Sequence, residues 1–85
     1  MIKGDLVLVK WADIQGSEGW EDGTEFATKK PPIITSPGIF INEDENCIRV
    51  AHDLADDNDL IGAIFPKGCI LSITSLEAKD APQRN

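Results

Sequence analysis

The sequence contains few of the residues from which catalytic and metal sites are usually built. Its 85 residues include one histidine, His52, and two cysteines, Cys47 and Cys69. No local motif links either cysteine to His52 as a nucleophile to its base. The three residues lack zinc-ligand spacing, and the glycines form neither a dinucleotide-binding pattern nor a P-loop. We therefore expect a protein that is not an enzyme and that has no cofactor.

Two cysteines are too few for a disulfide framework. We expect two buried thiols in a reducing compartment, with a single bridge between them as the alternative. No run approaches the roughly 20 apolar residues that cross a bilayer. The N-terminal segment reaches Asp5 and Lys10 before the apolar run of a signal peptide can form. The sequence therefore predicts a soluble, cytoplasmic protein with no membrane partner.

Basic residues are also scarce: eight stand against fifteen acidic residues, which gives a formal net charge of −7. An acidic chain repels phosphate, so binding to bulk nucleic acid is disfavoured unless the few cations cluster. The carboxylates concentrate in two segments, 43–45 and 53–59. An EF-hand beginning at Asp57 would need ligands where Ile61 and Gly68 stand. We expect solvated acidic loops, and a loose surface cation site is the alternative.

Short runs of β-branched, aromatic and other apolar residues predict five strands. They cover residues 5–11, 33–41, 47–52, 60–65 and 69–76. Helical periodicity is almost absent, although Asp22 and Glu25 have the spacing of a capping box that begins a turn of helix. Pro37 and Gly38 interrupt the second strand and predict a sharp bend there, with its two halves serving two sheets.

The connections between these strands favour one architecture. The first is a long loop, the second is a four-residue turn at residues 43–46, and the last, residues 66–68, has room for one turn of 3₁₀ helix. This pattern predicts an all-β fold, a five-stranded, strongly bent antiparallel small barrel of the SH3-like or Sm-like type. We place this single domain at residues 1–77 and expect a flexible C-terminal tail at 78–85.

The long loop at residues 12–30 carries two large aromatic residues, Trp20 and Phe26. A structureless loop of this length is uncommon in a small domain and is often functional. We expect the two aromatics to plug an open end of the barrel. Contact with a ligand or a partner is the alternative.

The central hairpin resembles the first motif of the Sm and Sm-like family. The glycine, large apolar residue, aspartate and medium apolar residue of that motif would be Gly38, Phe40, Asp44 and Cys47. Lys67-Gly68, followed by Ile70 and Leu71, is similar to the second motif. The family's RNA-contacting asparagine would fall on Ile48, which cannot make that contact, and Lys67 replaces its arginine. Trp11 with Asp13, the following Gly19-Trp20 and the late Pro66-Lys67-Gly68 also resemble small proteins encoded by tailed bacteriophages.

The strongest functional indication is that three strands are apolar on both faces, more than one small barrel can bury. In Sm-like proteins the fourth strand of one subunit pairs with the fifth of the next, so the resemblance implies a homo-oligomeric ring. The expected interface residues are Leu60, Ile61, Ile64, Phe65, Ile70, Leu71 and Ile73. The alternative is an Sm-like protein that binds RNA or single-stranded DNA through a basic rim. The residues of that rim would be Lys67, Arg49, Lys29 and Lys30.

Overall fold

The computed structural model describes residues 1–77, which form one five-stranded antiparallel sheet and one short α-helix. The elements in chain order are β1 (Leu6–Ala12), α1 (Gly23–Phe26), β2 (Ile33–Glu43), β3 (Cys47–Leu54), β4 (Leu60–Pro66), a 3₁₀ helix (Lys67–Cys69) and β5 (Ile70–Leu76). The predicted all-β class, the five strands and the 3₁₀ turn are confirmed. The predicted tail at 78–85 lies outside the described residues.

The strand order in the sheet is β4-β3-β2-β1-β5. Each strand from β1 to β4 therefore pairs with its neighbour in the chain, and β5 returns to pair with β1. Within the described residues, β4 and β5 lie at the two edges and do not pair with each other. The sheet is therefore not closed, and the predicted small barrel of the Sm-like or SH3-like type is not confirmed.

The core lies on the concave face of this sheet and follows from the alternation of side chains along each strand. On β1, Val7 and Val9 are completely buried. The core cluster consists of Val7, Val9, Phe40, Ile48, Val50 and Phe65. Such a small core leaves little hydrophobic stabilisation beyond the cost of ordering the chain.

Strand β2 is shared between two neighbours, and the change occurs beside the predicted bend. Residues 33–39 of β2 pair with β1, whereas residues 39–43 pair with β3. A register shift between Phe40 and Asn42 marks a bulge just after this change. The prediction that the two halves serve two sheets is wrong, because both halves belong to one strongly curved sheet.

Gly38 is required where β2 and β3 approach each other at this bend. A Cβ at this position would overlap Cγ1 of Val50 and would lie 2.9 Å from the carbonyl oxygen of Ala51. Gly62 of β4 meets the same segment from the other side, and a Cβ there would overlap the carbonyl oxygen of Val50. Glycine on both flanks therefore allows the three strands to coil closely around Val50.

Residues 13–32, between β1 and β2, form a long projecting connection that we call the arm. Its only helix is α1, where the Asp22 side chain accepts a hydrogen bond from the Glu25 backbone N–H at 3.2 Å. This cap confirms the turn of helix expected from those two residues. Trp20 is fully exposed and Phe26 is about half exposed. The prediction that these aromatics plug a barrel is therefore wrong.

Candidate assembly surfaces

The two edge strands of the open sheet carry exposed apolar side chains. An edge strand presents unpaired backbone N–H and C=O groups, which can pair with another chain unless charge, proline or a covering segment blocks them. On β4, Leu60, Ile61 and Ile64 are exposed, and the two isoleucines keep 67% and 68% of their surface in solvent. We call these three residues the β4 surface.

The opposite edge is less apolar. On β5, Leu71 is 58% exposed, and its neighbours Ser72, Thr74 and Ser75 are polar and exposed. Ile70 and Ile73 are half-buried and pack against the core cluster. Leu71 is therefore the most exposed apolar side chain of β5, since Leu76 at the end of the strand is 42% exposed. We call Leu71 and the strand edge around it the β5 surface.

Three of the seven expected interface residues belong to the hydrophobic core of the single chain or pack against it. Phe65 is only 5% exposed and belongs to the core cluster, on which Ile70 and Ile73 pack. The sequence could not separate these residues from their neighbours, because β4 and β5 are apolar on both faces. The structure leaves Leu60, Ile61, Ile64 and Leu71 available for contact with a partner.

A further apolar patch lies on the convex face of the sheet and was not expected as an interface. Leu6 of β1 pairs in register with Ile39 of β2 and with Leu76 of β5. Residues paired in this way place their side chains on the same face, so the three form a continuous group. Leu6 and Leu76 are exposed, and Ile39 is half-buried. The sequence contains one indication of this patch. Leu6 is adjacent to Val7 in β1 and therefore lies on the face opposite the one that Val7 and Val9 turn to the core.

The turn between β2 and β3 is held by Asp44. Its Oδ1 accepts hydrogen bonds from the backbone N–H groups of Asn46 at 2.8 Å and Cys47 at 3.0 Å. Its Oδ2 accepts one from Nη2 of Arg49 at 2.9 Å. The N–H of Asn46, the Arg49 guanidinium and the N–H of Cys47 hold the pKa of the Asp44 carboxyl well below its usual range. The aspartate is thus a structural element of the turn.

The candidate nucleic-acid residues fall into two separate groups. Lys67 forms an ion pair with Glu43 at 3.4 Å, and Arg49 pairs with Asp44, so both lie beside the β2–β3 turn. Lys29 and Lys30 lie on the arm, where Lys29 pairs with Glu21 at 2.7 Å. Three of the four cations therefore face carboxylates, and the expected basic rim carries little uncompensated positive charge.

His52 and Cys69 line one surface groove, but within residues 1–77 neither cysteine is hydrogen-bonded to His52. Nδ1 of His52 lies 3.0 Å from the carbonyl oxygen of Pro37, to which it donates a hydrogen bond. Cys47 and Cys69 are free thiols and half-buried, and Cys47 donates from Sγ to Asp44 at 3.5 Å. Among residues 1–77, no three His, Cys, Asp or Glu side chains are grouped to hold a metal ion.

No helix in the described part is long and apolar enough to span a membrane. No protein-family model, curated protein or solved structure matches the chain.

Proposed function

We propose that this chain is a non-enzymatic small-barrel module that self-assembles into a homo-oligomeric ring and acts as a binding or structural component. Assembly uses the β4 surface of one copy and the β5 surface of the next. Such a contact is heterologous, because two different patches meet, and it closes into a ring when the rotation between copies allows.

The observation that carries this proposal is the contrast between a small core and exposed apolar edges. Within residues 1–77, seven apolar residues are buried, whereas Leu60, Ile61, Ile64 and Leu71 face solvent along the two edge strands. Exposed apolar groups on an unpaired strand edge promote association between chains. Pairing β4 with β5 of a second copy would satisfy the backbone of both edges and remove these side chains from water.

The arrangement of the turns supports an Sm-like form of the proposal. The backbone N–H of Lys67 donates to the carbonyl oxygen of Asn46 at 2.8 Å, and its side chain pairs with Glu43. The two segments that resemble the Sm motifs, the β2–β3 hairpin and the β4–β5 connection, therefore meet in space. The consecutive strand order, with β5 beside β1, is compatible with a small barrel completed by a neighbouring subunit.

Nucleic-acid binding remains the alternative proposal, and the local geometry gives it less support. Ile48, which occupies the position of the family's RNA contact, is 5% exposed and packs in the core. Lys67, Arg49 and Lys29 are compensated by carboxylates. Phosphate contacts would have to break these pairs against a net charge of −7.

Sedimentation velocity on the full chain tests the assembly proposal. We expect the wild-type chain to form a closed oligomer at micromolar concentration, and Ile61→Lys to shift it to monomer, because a lysine on an edge strand blocks strand pairing. Ile2→Lys is the matched control, because Ile2 is 73% exposed but precedes β1 and lies on neither edge strand. A wild-type chain that stays monomeric at these concentrations would overturn the proposal.

A further inference from the structure

The arm bends at residues 18–19, and the Trp20 side chain beside this bend packs against nothing within residues 1–77. Trp20 is fully exposed, and Gly19 beside it has open space around its Cα. A tryptophan side chain offers about 150–250 Å² for burial, and tryptophan is the residue most enriched among the anchors of protein interfaces. An unburied tryptophan at the tip of a projecting segment is therefore well placed to contact another molecule.

An apolar groove opens where the sheet fails to close. Its volume is about 290 Å³, at the lower end of the about 300–1,000 Å³ typical of small-molecule pockets. It therefore suits a single large side chain better than a larger ligand. The larger apolar side chains of its lining are those of Trp11, Ile14, Ile64, Phe65 and Pro66, and Cys69 lies beside them. Asp13, Ser36 and His52 supply the polar part of the lining.

We infer that Trp20 of one copy docks into this groove on a neighbouring copy, so that the arm stabilises the contact between the two copies. The inference rests on the proposed function, because it adds a second contact between the copies of the proposed ring. Within one chain Trp20 does not occupy the groove, although the arm begins at the groove's rim with Asp13 and Ile14. The eight residues that follow Ala12, residues 13–20, can span roughly 26 Å when extended, which is enough to reach an adjacent subunit.

Continuity with the proposed strand contact favours a second copy as the occupant. Ile64 belongs to the β4 surface and also lines the groove, so an arm seated there extends the same interface. One tryptophan supplies about 150–250 Å², whereas a stable interface buries about 800 Å² on each partner. The arm therefore reinforces the strand contact and would not hold two copies together alone.

Charge distinguishes this occupant from a basic partner. The arm tip carries Glu18, Glu21 and Asp22, and every copy has a net charge of −7. Copies of the same chain therefore repel each other, and salt should strengthen their association by screening that repulsion. Docking of the arm on a basic protein would instead weaken as salt is added.

Disulfide trapping locates the contact directly, because Cys69 already lies in the groove. Gly19→Cys places a thiol beside Trp20, and Gly16→Cys is the matched control, since both glycines have open space around them. Both variants are made in the full chain with Cys47→Ser. A disulfide needs Cα atoms within about 7 Å, so only the thiol next to a docked Trp20 can bridge.

We expect mild oxidation of Gly19→Cys to give covalent dimers in which peptide mapping joins position 19 to Cys69 of another copy. Gly16→Cys should give far less dimer, and Cys69→Ser should abolish this linkage. Equal yields from both glycine positions, or a bridge from position 19 to Cys69 within one chain, would overturn the inference.

Sedimentation of Trp20→Ala separates this inference from the assembly proposal. We expect association to weaken by about tenfold or more, with Trp20→Phe retaining most of the affinity and Phe26→Ala serving as an aromatic control on the same arm. A Trp20→Ala chain that assembles like the wild type would overturn the docking of the arm and leave the strand contact standing. A monomeric wild-type chain would overturn both.

Discussion

Trp11 of β1 and Phe65 of β4 pack with their ring centroids 5.4 Å apart and their planes tilted by 59°, although β2 and β3 lie between those strands in the sheet. A flat sheet would hold β1 and β4 about 14 Å apart, because neighbouring strands are spaced by about 4.8 Å. The contact between these two rings therefore shows that the sheet is strongly curved. The same two rings line the groove where the curl stops short of closure.

Removing the Phe65 ring should destabilise the fold strongly. Phe65 is 5% exposed and joins β4 to the core through Trp11. We expect Phe65→Ala to lower the free energy of unfolding by about 3–5 kcal/mol, as measured by urea denaturation of the full chain. Ile2→Ala, at a position that is 73% exposed and outside the proposed contacts, should change it by no more than about 0.5 kcal/mol. Equal effects at the two positions would contradict this assignment of the core.

A methyl group at the bend of β2 should also be costly. Gly38→Ala brings a Cβ against Val50 and the Ala51 carbonyl, and we expect a loss of about 1–3 kcal/mol in the free energy of unfolding. Gly16→Ala on the arm meets no neighbouring atom and is the matched control. Thermal unfolding followed by circular dichroism compares the two variants. If Gly38→Ala unfolds with the wild-type midpoint, β2 and β3 do not approach as closely as described.

The Asp44 turn should give a stability contribution that depends on pH. Hydrogen bonds from Asn46, Arg49 and Cys47 lower the carboxyl pKa in the folded state, whereas the unfolded value is about 3.9. The contribution is therefore fully present above about pH 4. It is lost as the pH falls further, because the unfolded state takes up the proton first.

Urea denaturation of the wild type and Asp44→Asn across this range measures that contribution. We expect the wild type to be more stable at neutral pH and the difference to shrink as the pH is lowered below about 4. Glu45→Gln is the control from the same turn, since within residues 1–77 its side chain makes no hydrogen bond. A difference that stays constant down to low pH would show that the carboxylate charge does not hold the turn.

The sequence predicted local structure well because the runs of β-forming residues are short and sharply bounded. Pro66, Gly68 and the polar turn at residues 43–46 mark strand ends through backbone preferences that act locally. The position of Trp20 could not be predicted in this way. An aromatic side chain in a glycine-rich loop is equally compatible with a plug and with a projecting arm. Which one forms depends on contacts between distant residues.

Which side chains of β4 and β5 are buried and which are exposed was predictable only in part for a related reason. Apolar residues on both faces of β4 indicated a surface beyond the core, and Ile61 and Ile64 are indeed exposed. The face of β4 that turns inward is set by its pairing with β3. In that pairing Phe65 lies opposite Ile48, and β3 has a bulge between Ala51 and Asp53. A register shift of one residue exchanges the two faces, and the sequence of β4 alone contains no information on that shift.

The chain should not bind single-stranded nucleic acid through Lys67 and Arg49. Both side chains face carboxylates, and the net charge is −7, so we expect no retention on immobilised oligo(dT) or oligo(U) at low salt. Lys67→Ala should behave like the wild type in this assay. Salt-sensitive retention whose slope against log salt falls by about 1 in Lys67→Ala would favour the nucleic-acid alternative instead.

Mixing two edge variants should reveal the head-to-tail character of the assembly. Ile61→Lys disables the β4 surface and Leu71→Lys disables the β5 surface, and both positions are exposed, so each variant should fold. We expect each alone to be monomeric and their equimolar mixture to give a heterodimer by native mass spectrometry. The intact β5 surface of the first variant can pair with the intact β4 surface of the second, but the pair cannot extend further.

Other symmetries would give different results in the same experiment. If two copies met through β4 on both sides, Leu71→Lys would assemble alone and the mixture would contain no heterodimer, because an isologous contact needs the same patch on both partners. Ile2→Lys should match the wild type throughout, since its exposed isoleucine precedes β1 and lies on neither edge strand. A mixture in which both edge variants stay monomeric would rule out the pairing of β4 with β5, because each partner still supplies one unaltered edge.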